Sequence, residues 1–227
     1  MKQKLIDFLE FKFHLYKYAS LKNLFHKIRV KDFMSKDEKK LFDIELKPNS
    51  IIFDVGGYEG NFTERLLEKN PKSFFYIFEP IYQFYKNIKK KFENGNNIYV
   101  FPVGLSDEDK NIPLEVNFDR TTHSGEFNLD GQFELSNLKS ISNFIIEKKI
   151  EHIDLLKLNV EGAEYEILNN LIKKNLIGKV NTLLIQFHLN ESVDYKRYKT
   201  LKKKILKTHK SEFNSIFVWE KFTLKTF

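Results

Sequence analysis

The sequence predicts an α/β protein: a mostly parallel sheet covered by helices, an antiparallel hairpin at its C-terminal end, and a helical extension before it. Three observations predict this. Short apolar runs of strand length alternate with segments of helical periodicity, the pattern of a parallel sheet buried on both faces. The first of these runs breaks into glycines just before a helix. The chain closes on two strand-like runs, "FNSIFVWEKFTLKTF", with no helix after them.

In chain order, residues 1–45 come first and read as an extension, with residues 46–227 as the main domain. Leu5, Phe8, Leu9, Phe13, Leu15 and Tyr16 recur at helical spacing between lysines. Such a segment either packs on the main domain or a partner subunit, or lies as a peripheral contact on an anionic membrane. Asp7, Glu10 and Asp32 interrupt its basic face and favour packing.

After "LKPNS", the run "IIFDV" predicts a buried strand and Asn61 to Lys69 a helix. "SFFYIFEP" predicts a second strand, "IYQFYKNIKKKFE" a helix and "NIYVFPVGLSD" a third strand. Right-handed crossovers place the strand ends and the loops after them along one edge. The polar interval from Glu108 to Leu135 reads as an extended segment or hairpin and then a flexible loop, turning at Gly125 and Gly131. A helix is expected from about Leu138 to Lys149, then a strand "IDLLKLNV" and a helix "AEYEILNNLIKKN". The strand "VNTLLIQFHL" leads into a long basic helix around Tyr195 to Lys207, and the closing hairpin follows.

A length of 227 residues suits one domain with a decorated end, and 41% hydrophobic with 30% charged residues is ordinary for a globular protein. The net charge of +7 suits a nucleic acid, a membrane surface or an acidic glycan. The lysines are scattered among acids, however, which reads as a solvated basic surface. No stripe of basic residues with interleaved aromatics marks the core, so a nucleic-acid partner is not expected. The absence of cysteine excludes disulfides, thiolate zinc sites and a cysteine nucleophile, and fits a reducing compartment. No apolar run approaches the ~20 residues of a bilayer span, and charges interrupt the N-terminus throughout. A cytoplasmic location is the default.

The glycine turn "FDVGGYEGNFT" fails two familiar tests. A dinucleotide fingerprint would need glycines where Tyr58 and Asn61 stand, and a P-loop would need a Gly-Lys-Ser/Thr ending. What remains is Asp54, Gly56 and Gly60 in a D-x-G-x-x-x-G pattern, with the second strand ending in Glu79. Glycines let backbone approach a ligand closely, and an acid about twenty residues on can bond the two hydroxyls of a ribose. A ligand with a ribose and no pyrophosphate fits, and S-adenosylmethionine is such a ligand.

With "FDVGGYEGNFT", "FEP", "VGLSD" and "IDLLKLNVEGAEYEIL" in order, the sequence resembles the FkbM family of methyltransferases from about Ile51 to Trp219. The resemblance implies a class I methyltransferase fold, Rossmann-like, with a seven-stranded sheet whose last strand is antiparallel. It implies an S-adenosylmethionine-dependent O-methyltransferase acting on a hydroxyl of a sugar, a glycan or a related natural product, as in polysaccharide biosynthesis. Asp54, Gly56, Gly57 and Gly60 would form the first cofactor loop, and Glu79 would hold the ribose. Pro80 and Ile81 would line the adenosine, Leu105 and Ser106 would lie near the adenine, and Asn159 to Glu164 would face the transferring methyl. Two positions depart from the family pattern. Tyr58 brings a bulky ring into the glycine loop, and Asn159 replaces an aspartate two residues after the strand lysine. Those departures motivate a second reading, a binding protein that keeps the fold without the chemistry.

Transfer to a hydroxyl needs the acceptor oxygen aligned on the methyl carbon and a base to take its proton. The sequence offers Glu161, Glu164 and His188, with Asn159 beside them. Glu161 either points into the cleft or caps the helix after it, and Glu164 reads as a first-turn helix acid. His188 ends an apolar strand, where catalytic residues of open α/β sheets commonly sit. His123 and Arg120 suggest an acceptor loop. Lys157, mid-strand among apolar residues, needs a buried partner, for which Asp54 and Glu161 are candidates. No tight ligand spacing for a metal is present.

Overall fold

The computed structural model describes residues 19–116, 132–189 and 194–226. The periodicity read in residues 1–18, and Arg120, His123, Gly125 and Gly131, lie outside the described residues.

Helix α1 spans Ala19–Lys36 and a 3₁₀ turn follows at Glu38–Leu41. The main domain then runs β1 (Ile51–Val55), α2 (Asn61–Lys69), β2 (Phe74–Phe78), α3 (Tyr82–Lys91) and β3 (Ile98–Phe101). Strands β4 (Gly104–Ser106), β5 (Lys110–Val116) and β6 (Gln132–Ser140) lead to α4 (Ile141–Glu147), β7 (Ile153–Leu158) and α5 (Glu164–Lys173). Strand β8 (Val180–Ile185), α6 (Asp194–Thr208), β9 (His209–Ser215) and β10 (Trp219–Leu224) complete it.

Seven strands form the main sheet in the order β3-β2-β1-β7-β8-β10-β9. Strand β10 pairs antiparallel with both β8 and β9, while the pairs among β3, β2, β1, β7 and β8 are parallel. This is the sheet of a class I methyltransferase, with the expected antiparallel hairpin at its C-terminal end. Side chains alternate between two cores as strand geometry requires. Phe53, Val55, Leu156, Leu158, Leu183 and Ile185 face α4, α5 and α6 in one cluster. Ile52, Leu155 and Leu184 face the other way, against Leu66 of α2 and Phe33 of α1.

Two expectations need correction. The run "NIYVFPVGLSD" is two strands: Pro102 follows β3, and Gly104–Ser106 leave the main sheet for a second, three-stranded one ordered β4-β6-β5. The helix expected from Leu138 begins at Ile141, because Leu138, Lys139 and Ser140 pair with β4 in that small sheet. Tertiary pairing there outweighs a helical apolar spacing. The extended reading of the polar interval matches the β5–β6 hairpin.

Residues of the N-terminal segment pack on this body. Phe33 is buried, with its ring 6.1 Å from that of Phe213 on β9. Phe42 lies 5.5 Å from Phe62 on α2, and Lys221 Nζ donates to the Asp43 carbonyl at 2.9 Å.

Candidate active site

Strand order reverses direction between β1 and β7: β2 and β3 lie to one side, β8 to the other. Ligands of open α/β sheets bind outside the carboxyl ends of the strands at such a point. Here Asp54 and Lys157 are register partners on β1 and β7, both buried. Lys157 Nζ donates to Asp54 Oδ1 at 2.8 Å and to the Gly56 carbonyl at 2.8 Å. The Thr63 hydroxyl on α2 donates to Asp54 Oδ2 at 2.8 Å. The lysine read as needing a partner therefore has Asp54, and the pair ties strand ends, glycine turn and helix together.

The turn after β1 is shaped by the chain itself. Gly56 has φ +80°, and a Cβ there would lie 2.0 Å from the Asn159 carbonyl oxygen. On Gly57 a Cβ would meet Ile77 at 2.5 Å. Both glycine N–H groups donate to the Phe78 carbonyl, at 3.0 and 3.1 Å. Gly60, at φ +75°, stands just before α2, whose first-turn N–H groups have no intrahelical acceptors. Tyr58 also adopts a left-handed φ of +50°, and its ring leans edge-on against Phe84 of α3, centroids 4.6 Å apart.

Glu79 follows β2 and is 2% exposed. Its carboxylate accepts the Tyr58 N–H at 2.8 Å on one oxygen and the Ile81 N–H at 3.0 Å on the other. Two backbone donors, one on each oxygen, fix this carboxylate in place. Pro80 lies where a Cβ on Gly104 would touch it, at 3.4 Å, and Ile81 is buried. Leu105 and Ser106 are buried in β4, and the Ser106 hydroxyl donates to Glu166 of α5 at 3.2 Å. Asn159 continues β7 by donating its N–H to the Val55 carbonyl at 3.1 Å. Its side-chain Oδ1 is buried with no hydrogen-bond partner among the described residues, an acceptor of the kind that costs free energy unless a donor arrives.

His188 lies three residues past β8 rather than on it, flanked by two carboxylates. Its Nδ1 is 3.5 Å from Glu164 Oε2 and its Nε2 is 3.4 Å from Glu161 Oε2. Glu164 is completely buried and accepts the His188 N–H at 2.7 Å and the Gly162 N–H at 2.9 Å. The Tyr165 hydroxyl donates to the His188 carbonyl at 2.7 Å. Glu161 is 59% exposed and holds a left-handed φ of +50°, with Gly162 next at +118°. The sequence reading of Glu164 as a first-turn acid describes its bond to Gly162 but misses its grip on His188. The signal was Glu161 and Glu164 three apart, a spacing that puts both at one helix mouth. Among the described residues, no group of three or more His, Cys, Asp or Glu side chains is placed to hold a metal ion.

A family model of the methyltransferase FkbM domain matches residues 54–207, more than half of the chain. The chain belongs to the FkbM methyltransferase family. A curated relative, Methyltransferase 1 of Beauveria bassiana (strain ARSEF 2860), is 26% identical over 156 residues, covering 58% of this chain and 63% of that protein. The crystal structure of methyltransferase FkbM from Methylobacillus flagellatus KT superposes with a TM-score of 0.56 at 14% identity, over 92% of this chain and 55% of the other. The fibrillarin/Nop5p complex gives a TM-score of 0.50 at 10% identity, over 88% and 81% of the two chains. Both structural likenesses bear on the fold. The chain spans less than two thirds of the Beauveria protein and of the Methylobacillus structure.

The cofactor of this FkbM methyltransferase is S-adenosylmethionine, and the residues at the switch point suit it. An anchored carboxylate after β2 matches a ribose diol, a turn that opens on two glycines gives close approach, and the buried Asn159 Oδ1 offers an acceptor to an ammonium or hydroxyl.

Proposed function

We propose that this FkbM methyltransferase transfers a methyl group to a hydroxyl of a sugar, a glycan or a related natural product, with His188 as the base. The observation that carries the reading is the imidazole between two carboxylates, one buried and one exposed. Glu79 would hold the ribose, with Pro80 and Ile81 along the adenosine and Leu105 and Ser106 toward the adenine. Asp54, Gly56, Gly57 and Gly60 would shape the turn against it. When bound, S-adenosylmethionine supplies a methyl carbon already activated by its sulfonium.

The chain's own part is alignment and proton transfer. Buried Glu164 accepts the His188 backbone N–H and stands 3.5 Å from its Nδ1. Exposed Glu161 would yield Nε2 to the acceptor hydroxyl, and that nitrogen would take the hydroxyl proton, the sulfonium–methyl bond being the one broken and S-adenosylhomocysteine the leaving group. Asn159, neutral where the family carries an acid, serves as a hydrogen-bond acceptor rather than a charge. A cytoplasmic setting and packing of the N-terminal extension, through its described residues 19–45, on the catalytic domain belong to the same reading. The chain's lack of cysteine and the Phe33 and Phe42 contacts support them.

The test is transfer of label from tritiated S-adenosylmethionine to a panel of sugar nucleotides and glycans, with RNA as a competing acceptor. On the acceptor found, His188→Gln lowers kcat about a hundredfold while S-adenosylhomocysteine affinity stays within about threefold. Full activity of both His188→Gln and Glu161→Gln would remove the base from this site.

A further inference from the structure

One helix carries most of the molecule's excess charge. Along α6 stand six lysines and Arg197 against a single acid, Asp194, a net of +6 in a chain whose total is +7. The lysines elsewhere are therefore nearly balanced by acids. Folding decides which of the α6 cations look outward. Tyr198, Leu201 and Ile205 are buried in the core. Lys202 turns to the Tyr198 hydroxyl at 2.8 Å and Lys204 to Asn169 at 3.2 Å. Lys196, Lys199, Lys203 and Lys207 are exposed, followed by Lys210 at the start of β9. Spacings of three and four residues set them in one stripe, roughly 16 Å long from Lys196 to Lys207. Beside it runs an open groove of about 390 Å³ lined by Tyr198, Lys199, Lys202, Lys203, Leu206 and Lys207.

We propose that this stripe docks the protein on an anionic lipid surface. Clustered lysines on a helix face attract acidic headgroups, and ammonium groups on flexible stems adapt to headgroups that diffuse laterally. Exposed Leu206 adds an apolar contact between them. Single-stranded nucleic acid is disfavoured by the same face. Such sites pair cations with exposed aromatic platforms, and the exposed aromatics among the described residues are Tyr82, Tyr99 and Phe133, none on α6. The docking face is independent of which hydroxyl is methylated.

The test is co-sedimentation of the full chain with phosphatidylcholine vesicles, with or without roughly one-third phosphatidylserine. Binding is expected only to the serine-lipid vesicles and weakens as salt rises. Each lysine contributes about fivefold in partitioning, so K196E/K203E/K207E lowers it at least about a hundredfold. The same charge change on α3, K86E/K89E/K90E, lowers it less than about tenfold. Circular dichroism melts establish that the variants are folded. Should the reversal unfold, K196Q/K203Q/K207Q is read instead, with a loss of at least about tenfold expected. Equal losses for the α6 and α3 variants would show net charge alone at work and overturn the assignment. So would an unchanged glutamine variant, serine-lipid vesicles left unbound, or tight salt-sensitive binding to single-stranded RNA in their place.

Discussion

Asp54 and Lys157 meet across the two central strands with almost no access to water, and removing either alone strands its partner. Lys157→Met and Asp54→Asn are each expected to cost about 3–5 kcal/mol of stability. The double variant D54N/K157M should cost clearly less than the two singles together, as urea unfolding in a double-mutant cycle will show. Additive losses would mean that the pair does not hold the strand ends together. Gly56→Ala is a second residue-scale prediction. The new methyl would sit 2.0 Å from the Asn159 carbonyl, so the turn must open, with a loss of at least about 2 kcal/mol. A melting temperature equal to wild type would contradict this. At this scale the sequence displayed the glycines, Glu79 and the strand lysine, because each breaks a local pattern. It did not display that Gly56 is required by Asn159, or that Glu164 holds His188, because those contacts join residues far apart in the chain.

Elements show where local pattern prevailed and where pairing overrode it. Strand β1 and helix α2 fall on "IIFDV" and "NFTERLLEK", where apolar spacing and flanking glycines agree. Leu138 to Ser140 carry a helical spacing yet complete a strand, since β4 and β5 pair with them. The start of β9 carries a pH-dependent term. His209 is buried, with Nε2 donating to the Val180 carbonyl at 2.9 Å and Nδ1 accepting from Thr208 at 2.8 Å. Burial pushes its pKa below the ordinary 6.5. The unfolded chain therefore takes up a proton that the folded one refuses, and stability falls as pH drops below the unfolded value. The urea midpoint should fall between about pH 7.5 and 5.5 in the wild type and fall less in His209→Gln. Identical slopes for the two proteins would assign that dependence elsewhere.

For the whole molecule, composition stated the charge but not its address. The line of text shows a long basic helix around Tyr195 to Lys207, and only the folded helix separates exposed Lys196, Lys199, Lys203 and Lys207 from Lys202 and Lys204, which turn to Tyr198 and Asn169. The switch point between β1 and β7 likewise belongs to the assembled sheet, where Glu79, Asn159 and His188 follow the carboxyl ends of β2, β7 and β8. No helix among the described residues is long and apolar enough to cross a membrane. Cofactor binding centres on the Glu79 carboxylate that two backbone N–H groups hold in place. Calorimetric titration with S-adenosylhomocysteine tests it most directly, with NAD as the control ligand. Saturable one-site binding is expected for the wild type, with no heat from NAD and affinity at least about tenfold weaker in Glu79→Ala. Folded protein that gives no heat with S-adenosylhomocysteine, or a Glu79→Ala variant that binds it as tightly as wild type, would contradict it.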